Sequence, residues 1–209
     1  MSNNGRLAVP DKRAVTDHDI IDVLAERWSP RAFADRPVEP EKVRQVLEAA
    51  RWAASSYNEQ PWRYLVATKD DPEAYEHLLD CLNAFNQKWA KTAPVLMLSF
   101  YKTTFTRNGK PNRCAPHDVG AASAQLTAQA TALGLYVHQM AGIEQAVIRE
   151  TYDVPEGFEP MAALALGYLG DPHVLPDDLA EGEFGERSRR PLSDTVLGGG
   201  WGETAALVQ

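Results

Sequence analysis

Apolar residues recur along this chain with two periods, and their alternation sketches helices interspersed with strands. Ile20, Ile21, Val23 and Leu24 follow Thr16 and Asp19, which suit a capping box, so the pattern predicts a helix from Thr16 to near Arg27. Three prolines within residues 29–40 then favour a loop or short irregular strand. Pro40, at a first helical position, opens a second helix with Val43, Val46, Leu47, Ala50 and Ala54 on one face. Residues 62–68 read as a strand, residues 70–73 restart a helix reaching about Cys81, and residues 95–101 form a buried strand after Pro94. Val119, Ala122, Leu126, Ala130 and Leu133, spaced 3, 4, 4 and 3 apart, predict a long helix that Gly134 stops. Its alanines would let another helix approach closely. A short strand at 135–138, a helix at about 143–151 and a strand at 161–169 complete the pattern. The remainder is rich in glycine, proline and charge, and reads as an extended tail with little core of its own.

Residues 1–15 are expected to form a flexible arm, and no repeat or compositional break divides residues 16–209, which read as one domain. Interspersed helices and strands give an α+β chain, most simply a three-layer α/β/α arrangement. The 21 basic and 29 acidic residues leave a net charge of −8, which argues against a nucleic-acid partner but not against a local cationic site. The longest apolar runs, 95–98 and 161–166, are too short to span a bilayer. The N-terminal stretch lacks the apolar core of a secretory signal, and Cys81 and Cys114 make neither a disulfide framework nor a CxxC pair. A cytoplasmic protein without a membrane partner is expected.

Familiar catalytic motifs are missing: there is no GxSxG elbow, no GxxxxGK[ST] loop and no HExxH, and the five histidines have no metal-ligand spacing, so no metal is expected. The glycines of residues 197–202 read as a flexible turn. What remains is a set of cations and amides at four places. Arg27, Trp28, Ser29 and Arg31 put two guanidiniums and a hydroxyl in one short turn, suited to a phosphate, although a solvated charged turn fits equally simple reasoning. Ser55, Ser56, Asn58, Gln60 and Trp62 concentrate hydroxyls, amides and an indole between a helix end and a strand. Met140, Ala141 and Gly142 follow a strand end where backbone amides could approach a flat ligand. Arg187 and Arg189 bring late cations to an acidic chain.

In their order and spacing these four segments resemble the FMN-dependent nitroreductase family over roughly residues 17–194. Residues 27–33 look like that family's N-terminal flavin-phosphate motif, residues 55–62 are similar to its SSxNxQPW loop, and residues 187–191 resemble its closing basic motif. The resemblance implies a nitroreductase-like fold with a central mixed sheet, and a homodimer with the C-terminal tail lying on the partner. It also implies FMN as cofactor, NADH or NADPH as electron donor and a small-molecule acceptor. Carried over by position, Arg27, Ser29 and Arg189 hold the phosphate, with Trp28 between them in the motif, and Arg31 and Arg187 lie along the ribityl chain or the pyrimidine side. Ser55, Ser56 and Asn58 reach the flavin from the partner, with Gln60 and Pro61 supporting that loop. The backbone of Met140, Ala141 and Gly142 approaches the O4–N5 edge, Ala141 and Gly142 being nearest N5. No side chain is assigned a catalytic role, since the chemistry belongs to the flavin.

This chain departs from better-known members by carrying HQMAGI where they have a PxEGF-like turn. Asn83 and Asn86 both stand where many members present an asparagine to the ring. The acceptor is expected to be a nitroaromatic, quinone or similar compound. A non-catalytic flavin-binding protein, or a specialised branch such as a reductive dehalogenase, are the alternatives. Residues 102–116 read either as a disordered loop or as a lid lined by Tyr101, Phe105, Arg107 and Arg113.

Overall fold

The computed structural model describes residues 11–208. Four strands, β1 (Trp62–Thr68), β2 (Val95–Lys102), β3 (Tyr136–Met140) and β4 (Phe158–Gly167), form one sheet in the order β1-β2-β4-β3. The helices are α1 (Asp22–Glu26), α2 (Pro40–Arg51), α3 (Pro72–Asp80), α4 (Ala84–Ala90), α5 (Ala115–Ala132), α6 (Gln145–Tyr152) and α7 (Asp177–Phe184).

Each strand presents alternate residues to two cores. Val95, Met97, Leu164, Leu166 and Val137 face α2 and α5, packing on Val46, Ala50, Val119 and Leu126. Leu96, Leu98, Ala163 and Ala165 face the other way, onto Leu78 of α3, Trp89 of α4, Ile148 of α6 and Leu179 of α7. Period-two alternation with both faces buried produces the continuous apolar runs of β2 and β4. The three-layer α+β arrangement is therefore as expected.

The sheet itself departs from the mixed one expected: every adjacent pair is antiparallel. Two helices, α3 and α4, separate β1 from β2 and return the chain antiparallel. The single helix α5 joins β2 to β3, which do run the same way, but β4 inserts between them and opposes both.

Some elements shift. The helix expected from Thr16 forms only over Asp22–Glu26, with Ile21 as an N-cap that makes no side-chain cap bond. Ile20, Ile21 and Leu24 stay exposed, so no buried stripe extends it. The arm expected over residues 1–15 lies partly outside the described residues. Of the rest, Ala14 bonds to Ala25 and the buried Lys12 donates to the Gly185 carbonyl. The tail is more structured than expected: α7 buries Leu179 and Glu183, and residues 197–204 form a tight turn closed by a Leu197–Thr204 bridge. Gly199 and Gly202 sit there at φ 81° and 91°, backbone that side chains rarely adopt.

Residues 102–116, expected as a disordered loop or a lid, contain a tight hairpin: Thr104 pairs with Pro111, and Phe105 N–H donates to the Lys110 carbonyl at 2.8 Å.

Candidate functional site

The loop between α1 and α2 and the segment after α7 meet across a cavity of about 280 Å³. It is lined by Lys12, Arg27, Trp28, Ser29, Arg31, Gly182, Glu183, Gly185, Glu186, Arg187 and Arg189. Two motifs about 160 positions apart in sequence thus come together, because α7 docks Leu179 into the core below the loop. Five cationic side chains face two carboxylates, in a chain whose overall charge is −8.

The cations are poorly neutralised. Burial lowers the pKa of Arg27, and the neighbouring charges of Arg187 and Arg189 lower it further. Burial also lowers that of Arg187, with Arg189 adding to it. Arg27 has Ser29 Oγ as a side-chain partner at 3.5 Å, and the buried Nε of Arg31 has no hydrogen-bond partner. Mutual repulsion with an orphaned buried donor describes a site built for an anion.

Arg187 is divided between two tasks. One guanidinium nitrogen donates to the carbonyls of Lys12 and Ala25, bracing the N-terminal segment, while the residue still lines the cavity. Trp28 is buried, with Lys12 over its ring at 5.4 Å.

Sequence reasoning missed Lys12 and Glu183. Glu183 is 2% exposed; it accepts the Arg31 backbone N–H at 3.0 Å and lies 3.8 Å from the Arg31 guanidinium. Burial raises its pKa, while the Arg31 and Ala32 amides and the Arg31 and Lys12 charges pull it down. Its only trace in the sequence is its place four residues after Leu179, on the buried face of α7.

The same loop is braced from β3. His138 donates its Nδ1–H to the Pro30 carbonyl at 2.9 Å, because a carbonyl can only accept, and this fixes the tautomer of the neutral ring. Its ring packs 4.4 Å from that of Trp89. Burial pushes the His138 pKa down to about 4 and the Arg31 charge adds to it, against the Pro30 and Ser29 carbonyls.

Past Met140 and Ala141, Gly142 passes so close to α4 that a Cβ there would lie 2.3 Å from Asn83 Nδ2 and 2.6 Å from Asn86 Nδ2. The two asparagines divide the work. Asn83 caps α4 by accepting the Asn86 N–H at 2.9 Å, and Asn86 donates to the Gly142 carbonyl at 3.0 Å.

The remaining segment is elsewhere. Ser55, Ser56, Asn58 and Gln60 neither line the cavity nor bond to a residue that does, among the described residues. Ser55 Oγ accepts the Gln60 N–H at 3.0 Å, and Gln60 Nε2 donates to the Asn58 carbonyl and Oδ1 at 3.2 and 3.1 Å. Ser56 N–H donates to Asp118 Oδ2 at 3.0 Å, a buried carboxylate on the first turn of α5 that no local pattern marks out.

A larger hollow of about 570 Å³ opens between α2 and α5, lined by Glu41, Arg44, Glu48, Trp52 and their neighbours. Its Arg44 is paired with Glu41 at 2.7 Å, so it offers no comparable unpaired charge. No group of three or more metal-binding side chains and no helix long and apolar enough to cross a membrane occurs among the described residues.

An α+β sandwich with a cationic cradle at the junction of its N-terminal loop and C-terminal helix defines a class of anionic-cofactor protein. Residues 24–168 match the Nitroreductase family, and the chain belongs to that family. It is similar to a solved oxidoreductase containing FMN, with 38% identity and a TM-score of 0.85 over 91% of this chain and 96% of that one. Over 91 residues it is 42% identical to an uncharacterized 15.4 kDa protein of Mycolicibacterium smegmatis, covering 43% of this chain and 60% of the relative. Over 172 residues it is 27% identical to the FMN reductase (NAD(P)H) of Bacillus subtilis strain 168, covering 74% of this chain and 67% of the relative. The chain thus spans 60% of the first of these curated relatives and 67% of the second.

Proposed function

We propose that this protein is an FMN-dependent oxidoreductase that takes electrons from NADH or NADPH and passes them, in a ping-pong sequence, to a nitroaromatic, quinone or similar small acceptor. The observation that carries the reading is the cavity of five cations with an orphaned buried Arg31 Nε, which fits the phosphate and the anionic side of FMN. Arg27, Ser29 and Arg189 would hold the phosphate, and Arg31 and Arg187 the ribityl and pyrimidine side. When bound, the flavin supplies hydride acceptance and donation.

The chain's own residues do the positioning. Glu183 holds the Arg31 backbone, and neutral His138 fixes the same loop from β3. The Asn86–Gly142 bond ties the Met140, Ala141 and Gly142 backbone to α4, where the ring edge would meet it. Arginine beside the pyrimidine would stabilise negative charge there in the reduced state.

Residues 16–209 act as one domain in this reading, and the working unit is a homodimer. The loop carrying Ser55, Ser56 and Asn58 stands away from its own chain's cavity and is exposed at Tyr57, as a loop completing a partner's site would be. The tail, with Trp201 98% exposed at its turn, would lie on the partner. The two free cysteines suit a reducing cytoplasm.

The test is a visible spectrum of the purified protein, followed by anaerobic addition of NADH and then NADPH. Flavin bands that bleach are expected, and the donor that bleaches them is the substrate. Bands that persist with both donors would leave a flavin-binding protein without this activity. A colourless protein that takes up no added FMN would overturn the site.

A further inference from the structure

The loop at 55–60 carries more strain than its place between a helix and a strand requires. Tyr57, Asn58 and Gln60 all have left-handed backbones, with φ of 54°, 54° and 52°. Such backbone is unfavourable for a residue with a side chain, least so for asparagine. The strain is held by the Ser55–Gln60, Ser56–Asp118 and Gln60–Asn58 bonds already described. Its outcome is a Tyr57 ring that is 73% exposed instead of packed into the sheet.

That ring has company. The Arg107 guanidinium lies over it, 3.7 Å from the ring centre, and 5.4 Å from the ring of Phe105. Tyr57 and Phe105 meet edge to face with centres 5.8 Å apart. The hairpin presenting Arg107 is locked to the same loop: Glu59 accepts both the backbone N–H of Thr106, at 2.8 Å, and its hydroxyl, with Lys102 3.9 Å away. Gly109, at φ 68°, turns the hairpin.

Arg107 itself has no ion pair or hydrogen bond among the described residues; its charge is felt by Glu59, whose pKa it helps to lower. Centred over the Tyr57 ring on an exposed residue, this guanidinium leaves the planar edge of its N–H groups free. That edge matches a carboxylate in two-point contact, and the neighbouring rings offer stacking surface.

We propose that Tyr57, Phe105 and Arg107 form an acceptor subsite selecting planar aromatic compounds that carry a carboxylate. The subsite rests on the reading that residues 55–58 reach the flavin of a partner subunit, which places it beside the ring where an acceptor binds. Against a net charge of −8, a pre-oriented cation at the acceptor position favours anionic over neutral acceptors. Glu59, through Thr106, is the positioning residue of the hairpin.

The experiment compares 4-nitrobenzoate with nitrobenzene on the FMN-loaded protein and on Arg107→Ala and Arg107→Lys. Steady-state kinetics are read together with calorimetric binding of 4-nitrobenzoate, and FMN content is read from absorbance. In Arg107→Ala the ratio of kcat/KM for 4-nitrobenzoate to that for nitrobenzene should fall about 10- to 100-fold, through KM, with a matching rise in Kd. Arg107→Lys should recover only part of it, because lysine keeps the charge and loses the flat fork. A ratio and Kd within two-fold of wild type, in a protein that keeps its FMN, would overturn the subsite and leave the flavin reading standing. A wild-type protein that takes up no FMN would overturn the flavin reading and the acceptor role with it.

Discussion

Acidification from pH 7 to pH 4 places a proton on a histidine that the fold keeps neutral. His138 is partly buried on β3, against the fully buried Trp89. Its Nδ1–H is committed to the Pro30 carbonyl, so protonation adds charge at Nε2 without adding a bond already lacking at Nδ1. Burial is the main reason its pKa falls from 6.5 to about 4, and Arg31 contributes to it. A depressed folded-state value means that the neutral ring contributes stability above about pH 6.5, lost progressively as pH falls through about 4. A shift from 6.5 to about 4 is worth up to about 3 kcal/mol at roughly 1.4 kcal/mol per unit.

The assay is urea denaturation of wild type and His138→Asn at pH 7, 6, 5 and 4. Asparagine keeps an N–H for the Pro30 carbonyl but does not titrate, and carboxylates common to both proteins cancel in the difference. The stability of wild type relative to the variant should fall by up to about 3 kcal/mol across this range, nearly all of it below pH 6.5. A difference that is flat with pH would refute the burial argument, since a histidine titrating near 6.5 in both states carries no such linkage.

Glu183→Ala strips the Arg31 amide of its acceptor and leaves the cations beside it uncompensated; a loss of about 2 kcal/mol or more is expected in thermal or urea denaturation, with Glu183→Gln, which keeps a carbonyl oxygen, recovering most of it. Gly142→Ala must displace Asn83 and break the Asn86–Gly142 bond, and is expected to cost about 1–3 kcal/mol and to weaken FMN retention on gel filtration; unchanged values for both would show that α4 yields freely there.

How far the sequence reveals this protein depends on the range of each interaction. β1 is legible to the residue because its apolar run is bounded by Pro61 on one side and the Asp70–Pro72 turn on the other, and α2 is announced by Pro40. β4 begins three residues earlier than its pattern suggests, since Pro160 argues against a strand. The structure tolerates Pro160 because β3 pairs only with residues 163–167, and because the register with β2 slips beside it, between Ser99 and Phe100. The seven-residue helix α4 is too short for its period to stand out. The arginine motifs were visible as local clusters of type and spacing. Lys12, Asp118 and Glu183 were not, because each acts on a residue 62 to 173 positions away, and no local pattern encodes such a partner.

The strand order carries a consequence for how the chain acquires its structure. β4 is the last strand made, yet it lies between β2 and β3 and supplies the pairing for both. Until about residue 167 is available, the sheet is a β1–β2 pair whose apolar β2 edge is unpaired, with the five-residue β3 apart from it. Such topology depends on contacts distant in sequence, which slows folding and leaves that edge open to pairing between molecules. A nascent or truncated chain ending before Phe158 is therefore expected to aggregate more readily than the full chain.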